Sequence, residues 1–172
     1  MKVIFLDIDG VLNNKDSDFT SLDHTNWIRE AVQDLDNLCN EFGTKAVISS
    51  SWRMIFPDIA WWNAEFAASG AKYIEVIGIT ESAFNGFRGR EVREYLTKNP
   101  EIESYLILDD DCDFYDDQPR VKTNFQVGLT LNDYSLARAI LEGRTNGLGN
   151  YCLIEWRTPA ADNIFGGSAS DL

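Results

Sequence analysis

The chain reads as an α/β fold: a doubly wound, Rossmann-like parallel sheet of about five strands, with helices on both faces and a minimal cap or none. Two observations predict it. Apolar runs at Val3-Ile4-Phe5-Leu6, Lys45-Ala46-Val47-Ile48 and Ser104-Tyr105-Leu106-Ile107-Leu108 read as buried strands, and segments of helical period separate them. Each run also delivers polar residues at its end: Asp7-Ile8-Asp9-Gly10, Ser49-Ser50-Ser51-Trp52-Arg53 and Asp109-Asp110-Asp111. With right-handed crossovers all three ends fall on one edge of the sheet, where α/β proteins bind ligands.

The elements follow in order. After the first strand, a polar loop over 13–23 leads to a helix near Thr25–Phe42. On it Trp27, Ile28, Ala31, Val32, Leu35, Leu38, Cys39 and Phe42 recur at helical spacing, and Gly43 stops it. His24, the only histidine, reads as a surface or capping residue. Beyond the second strand, Pro57 opens a helix near Asp58–Ser69, ended by Gly70. Its Trp61, Trp62 and Phe66 serve either as core with a rim or as an aromatic shelf beside the site. A strand near Tyr73–Ile77 leads into a loop holding Gly78, Gly86 and Gly89, able to flex over the site, and then a helix near Glu91–Lys98 ends at Asn99-Pro100. A short strand near Arg120–Thr123 and a helix near Asp133–Glu142 follow the acidic strand. Residues 1–143 are expected to form one domain. The remainder, 144–172, reads as a partly mobile C-terminal extension with a candidate strand at Tyr151–Trp156.

Composition narrows the setting. With 172 residues and 44% hydrophobic content the chain suits one folded domain. No apolar run is long enough to span a membrane and no signal-peptide pattern is present, so a cytoplasmic protein with no membrane partner is expected. Cys39, Cys112 and Cys152 are odd in number and scattered, which fits reduced thiols, with Cys39 packed in the core. A net charge of −13 argues against nonspecific binding to nucleic-acid duplex, because long-range repulsion opposes approach.

The strand ends carry the chemistry. Asp7 and Asp9 can converge only if the chain turns after Leu6, and Gly10 permits the turn. One such carboxylate can attack phosphorus and the other can pass a proton to the leaving oxygen. Asp and Gly are also ordinary turn residues, so the pair alone fits a plain polar turn. Hydroxyls and Arg53 after the second strand can hold phosphate oxygens. The crowded carboxylates at 109–111 repel one another unless a cation neutralises them, and oxygen-only ligands suit Mg²⁺.

Together the motifs Phe5-Leu6-Asp7-Ile8-Asp9-Gly10-Val11-Leu12-Asn13, Ile48-Ser49-Ser50-Ser51-Trp52-Arg53, Arg88-Gly89-Arg90-Glu91-Val92, Leu108-Asp109-Asp110-Asp111 and Val127-Gly128-Leu129-Thr130 resemble the haloacid dehalogenase (HAD) superfamily. The likeness spans about residues 1–142 and is nearest to the small, nearly capless members associated with RNA repair. It implies that Asp7 is the nucleophile and forms an aspartyl-phosphate, and that Asp9 is general acid and then base, with its carbonyl also on Mg²⁺. Ser49, or Ser50 if the register of the triple serine differs, would hydrogen-bond the phosphoryl group. Asp110 would bind Mg²⁺ directly and Asp109 would assist, while Asp111 and Asp113 stay solvated or support the ligands from behind. Where the superfamily has Lys, this chain offers Arg88 or Arg90, and Arg88 is favoured because a helix follows it closely.

A Mg²⁺-dependent phosphohydrolase is therefore expected, acting on nucleotide or nucleic-acid terminal phosphates, with Trp52-Arg53 and Trp61-Trp62 suited to stacking on a base. A phosphoprotein or small-metabolite phosphatase is the alternative on the same scaffold. A non-catalytic Mg²⁺- or phosphate-binding regulatory module is the alternative of another class.

Overall fold

The computed structural model describes residues 1–82 and 86–144. Strands β1 (Lys2–Leu6), β2 (Lys45–Ile48), β3 (Val76–Ile79), β4 (Ser104–Asp109) and β5 (Arg120–Lys122) form one parallel sheet in the order β3-β2-β1-β4-β5. Helices α1 (Arg29–Phe42), α2 (Ile59–Ala68), α3 (Arg88–Lys98) and α4 (Leu131–Leu141) complete the described fold. The candidate strand at 151–156 and nearly all of the C-terminal extension lie outside the described residues.

Alternation of side chains along the strands builds two cores. Ile4, Leu6, Ala46, Ile48, Leu106 and Leu108 face one core, shared with α1, α2 and α4. Val3, Phe5, Val47 and Ile107 face the other, under Val92 of α3. Burial on both faces is why these strands read as nearly unbroken apolar runs.

The strand order positions the site. From β1 the chain moves outward through β2 to β3, then crosses back to β4 and continues to β5 on the other side. This switch leaves a crevice beyond the carboxyl ends of β1 and β4. Main-chain bonds from Asp7 to the Leu108 carbonyl (3.0 Å) and from Ser49 to the Leu6 carbonyl (2.9 Å) carry the ladder to its lip.

Several boundaries differ from the sequence expectation, each for a long-range reason. The helix expected from Thr25 is split into a 3-10 turn over His24–Asn26 and α1 from Arg29. Trp27 and Ile28 between them are extended, because the Ile28 N–H bonds the Leu12 carbonyl at 2.5 Å. Gly43 ends α1 at φ +62°, as expected. The third strand begins at Val76, since the amides of Lys72, Tyr73 and Ile74 all donate to one Asp36 carboxylate oxygen instead of a neighbouring strand. Gly78 lies inside β3, where a Cβ would collide with the Tyr95 hydroxyl, and Gly89 lies in the first turn of α3; only Gly86 of the three stays in the loop. α4 starts two residues early because Thr130 and Asp133 form a reciprocal cap. His24 has a partner that local sequence does not reveal: its Nδ1 lies 2.6 Å from Glu65 of α2.

The aromatics sort inward. Trp52, Trp62 and Phe66 are buried in the larger core, and Trp61 stacks on Phe56 with centroids 3.8 Å apart. Cys39 is buried as expected, and burial pushes its thiol up to about 11, so it stays protonated.

Candidate active site

Strand parity brings the acids together. Asp7 continues the Val3-Phe5 face and Asp109 the Ile107 face, so both point toward α3, and both are buried. The first residue of α3, Arg88, lies between them, its Nη1 2.9 Å from Asp7 Oδ2 and 2.6 Å from Asp109 Oδ2. The remaining Asp7 oxygen accepts the Ile8 N–H at 2.8 Å, and the Ser50 hydroxyl bonds the same carboxylate. Asp109 Oδ1 accepts the Asp111 N–H at 2.8 Å.

Asp110 enters from the loop after β4. Carboxylate oxygens of Asp7, Asp109 and Asp110 lie within 4.8 Å of one another. This approach depends on Gly10, whose φ is +72° and where a Cβ would sit 2.5 Å from Asp110 Cγ. The glycine of the first motif thus has two tasks: it turns the chain and leaves room for an acid from another strand.

Charge in this cluster is poorly compensated. Burial raises the pKa of Asp7 from the ordinary carboxylate value, although Arg88, Ser50 and the Ile8 amide oppose the shift. Burial first and the Asp7 charge second push Asp109 up to about 7. Asp110 is raised by the same two causes in the same order. Arg88 is held above its ordinary value because Asp7 and Asp109 outweigh the burial that pulls it down. One guanidinium faces three carboxylates, an all-oxygen donor set that fits a hard divalent cation such as Mg²⁺.

Asp9 is not among the three clustered acids. Its Oδ1 accepts from Asn13 Nδ2 at 2.7 Å and its Oδ2 from the Trp52 indole at 3.0 Å. Of the two candidate serines, Ser50 meets Asp7, whereas the fully buried Ser49 hydroxyl has no hydrogen-bond partner among the described residues. Arg53 is buried beneath the serines, donating to the Ser49 and Ser50 carbonyls and pairing with Glu91 of α3 at 2.6 Å. Arg90, two residues beyond Arg88, is exposed and pairs with Glu94.

Asn13 and Asp113 join the site although the motifs gave them no definite role, and Trp52 joins it in a role other than the one expected. Asp113 caps α3: its Oδ2 accepts the Arg88 N–H at 3.1 Å and its carbonyl the Gly89 N–H at 2.9 Å. That cap starts the helix three residues earlier than its apolar period indicates and so sets where Arg88 emerges. The expectation that Trp52 and Trp62 stack on a base gives way to a structural role. Both are buried, and the Trp62 indole donates to the Phe56 carbonyl at 2.9 Å.

An Asp-x-Asp loop facing a second acidic strand end across a sheet switch point defines a HAD-type α/β domain. Residues 3–134 match the model of the HAD domain in Swiss Army Knife RNA repair proteins, and the chain belongs to that family. Searches of the curated proteins and of the solved structures found no match. No helix among the described residues is long and apolar enough to cross a membrane.

Proposed function

We propose that this domain is a Mg²⁺-dependent phosphomonoesterase that works through an aspartyl-phosphate on Asp7 and takes the terminal phosphates of RNA or nucleotides. The observation that carries the reading is the gathering of Asp7, Asp109 and Asp110 within 4.8 Å, with Arg88 set between two of them.

Asp7, Asp109 and Asp110 would hold the cation, which when bound supplies positive charge against the acids and the phosphoryl oxygens. Arg88 and the Ser50 hydroxyl, both on Asp7, stand where they can bind those oxygens as Asp7 attacks. In the first half-reaction an Asp7 oxygen bonds to phosphorus, the ester P–O bond breaks with its electron pair going to the departing oxygen, and Asp9 gives that oxygen a proton. In the second, water attacks phosphorus while Asp9 takes its proton, and Asp7 leaves as a carboxylate. Catalysis is mainly positioning and electrostatics, as expected for phosphoryl transfer.

The substrate class rests on the family and on the rim. Phe19, in the loop after β1, and Phe125, in the loop after β5, are exposed and near-parallel, with centroids 6.5 Å apart and planes at 22°. The two loops are tied by the Lys15 N–H on the Phe125 carbonyl at 3.0 Å. Exposed aromatics in loops at the same carboxyl edge of the sheet as the acids suit a nucleobase.

Hydrolysis of p-nitrophenyl phosphate with Mg²⁺, and of 3′- and 5′-phosphorylated oligonucleotides against mononucleotides and phosphopeptides, tests both parts. Asp7→Asn should abolish phosphate release from every substrate, and Phe19→Ala should raise KM for oligonucleotides and mononucleotides but not for p-nitrophenyl phosphate or phosphopeptides. A wild-type protein inert with every substrate and metal would overturn the enzymatic reading in favour of a binding module. Preference for phosphopeptides would overturn the nucleic-acid reading.

A further inference from the structure

We propose that Trp52 is a positioning residue for proton transfer, its indole N–H holding the Asp9 carboxylate in register with Asp7; this rests on the phosphomonoesterase reading above. An aspartate on an open loop has two rotatable side-chain bonds, so without anchors its carboxyl group samples many orientations. Asp9 has an anchor on each oxygen. Asn13 Nδ2 reaches Oδ1 at 2.7 Å, and the same Asn13 side chain accepts the Gly10 N–H at 3.1 Å, which fixes it to the loop it serves. Trp52 Nε1 reaches Oδ2 at 3.0 Å.

The indole anchor is rigid because its ring is. Trp52 is only 4% exposed and packs in the larger core beside Phe56. Its backbone N–H bonds the Ser50 hydroxyl at 3.3 Å, and that hydroxyl also bonds Asp7. A continuous chain of contacts, Asp9 to Trp52 to Ser50 to Asp7, therefore couples the proton donor to the nucleophile through the loop after β2. The two acids also have different kinds of partner: Asp7 faces a guanidinium, whereas Asp9 faces an amide and an indole, both uncharged. Each carboxylate oxygen has two lone-pair directions, so Oδ2 held by one indole bond keeps another for the proton that goes to the leaving group.

The leaving group provides a readout that a purely structural role does not move. A dinitrophenyl ester departs without help from an acid, whereas an alkyl ester needs the proton. Trp52→Phe keeps an aromatic ring in the core and removes the donor together with the smaller ring of the indole. With Mg²⁺, kcat/KM of this variant, which reports the phosphorylation step and not the shared hydrolysis of the aspartyl-phosphate, should fall about tenfold or more on β-glycerophosphate, within the range of a general-acid contribution. It should stay within about twofold of wild type on 2,4-dinitrophenyl phosphate. Equal losses on the two esters, or no loss on either, would overturn the proposal. A measurement on unaltered Trp52 keeps it testable even if Trp52→Phe folds poorly: the Trp52 indole N–H resonance should move on Asp9→Asn, and an unmoved resonance would overturn the contact itself. If wild type hydrolyses neither ester, the phosphomonoesterase reading fails, whereas an active wild type with an indifferent Trp52→Phe defeats only the positioning role.

Discussion

Gly10→Ala tests how the acidic strand end meets the first loop. The new Cβ would lie 2.5 Å from Asp110 Cγ and 2.7 Å from Asp110 Oδ2. Carbon atoms in contact prefer about 3.5 Å or more, so Asp110 must retreat by about 1 Å. The backbone also suffers, because φ is +72° and an L-residue in the left-handed region costs roughly 1–2 kcal/mol. For a chain of this size that corresponds to a drop in Tm of about 2–8 °C. Gly43 separates the two effects. Its φ is +62° with nothing within 4 Å of the place an alanine methyl would occupy, so Gly43→Ala carries the backbone cost without the collision. Gly10→Ala should lose at least as much stability as Gly43→Ala. Only Gly10→Ala should need much more Mg²⁺ to stabilise the protein in thermal melts, and its phosphatase rate should fall about 100-fold, the scale associated with a 1 Å misplacement. A wild-type Mg²⁺ dependence in Gly10→Ala, or an equal loss of it in Gly43→Ala, would refute this role of Gly10.

Other perturbations probe the charges around the site. Because Asp109 titrates near 7 when folded without metal and near 3.8 when exposed, the folded chain binds more protons than the unfolded one between those values. Metal-free stability should therefore fall as pH rises through that window and level off above it, with Asp7 and Asp110 acting in the same direction. Urea midpoints in EDTA between about pH 5 and pH 8 should follow this slope, and Asp109→Asn should flatten it. Arg53→Ala should cost about 3–5 kcal/mol in denaturant unfolding, because it takes the guanidinium away from the buried Glu91 carboxylate. Arg90→Ala breaks only an exposed pair and should change stability by less than about 0.5 kcal/mol with no effect on rate. Arg88→Ala should lower kcat about 100-fold, with Arg88→Lys retaining more because it keeps the charge but not the grip on two carboxylates.

Sequence alone determined the framework, because the signals behind it are local. Apolar runs ending in polar residues placed the buried strands, and the residue types at 109–111 made a cation site legible before any contact was known, whereas the register of β1 on β4 brought Asp7 and Asp109 to one face. Choosing among neighbouring polar residues was a different matter, since such residues have nearly the same local propensity and differ mainly in distant partners. Ser50 rather than Ser49 meets Asp7; Arg88, already favoured over Arg90 for the helix close behind it, bridges the acids from a position set by a helix cap that Asp113 supplies from 25 positions away. Arg53, which reads as a phosphate ligand, is spent on carbonyls and Glu91, and Trp52, which reads as a stacking surface, is turned inward onto Asp9. A buried donor or acceptor must find a partner wherever the fold provides one, so those pairings were decided only when the sheet assembled.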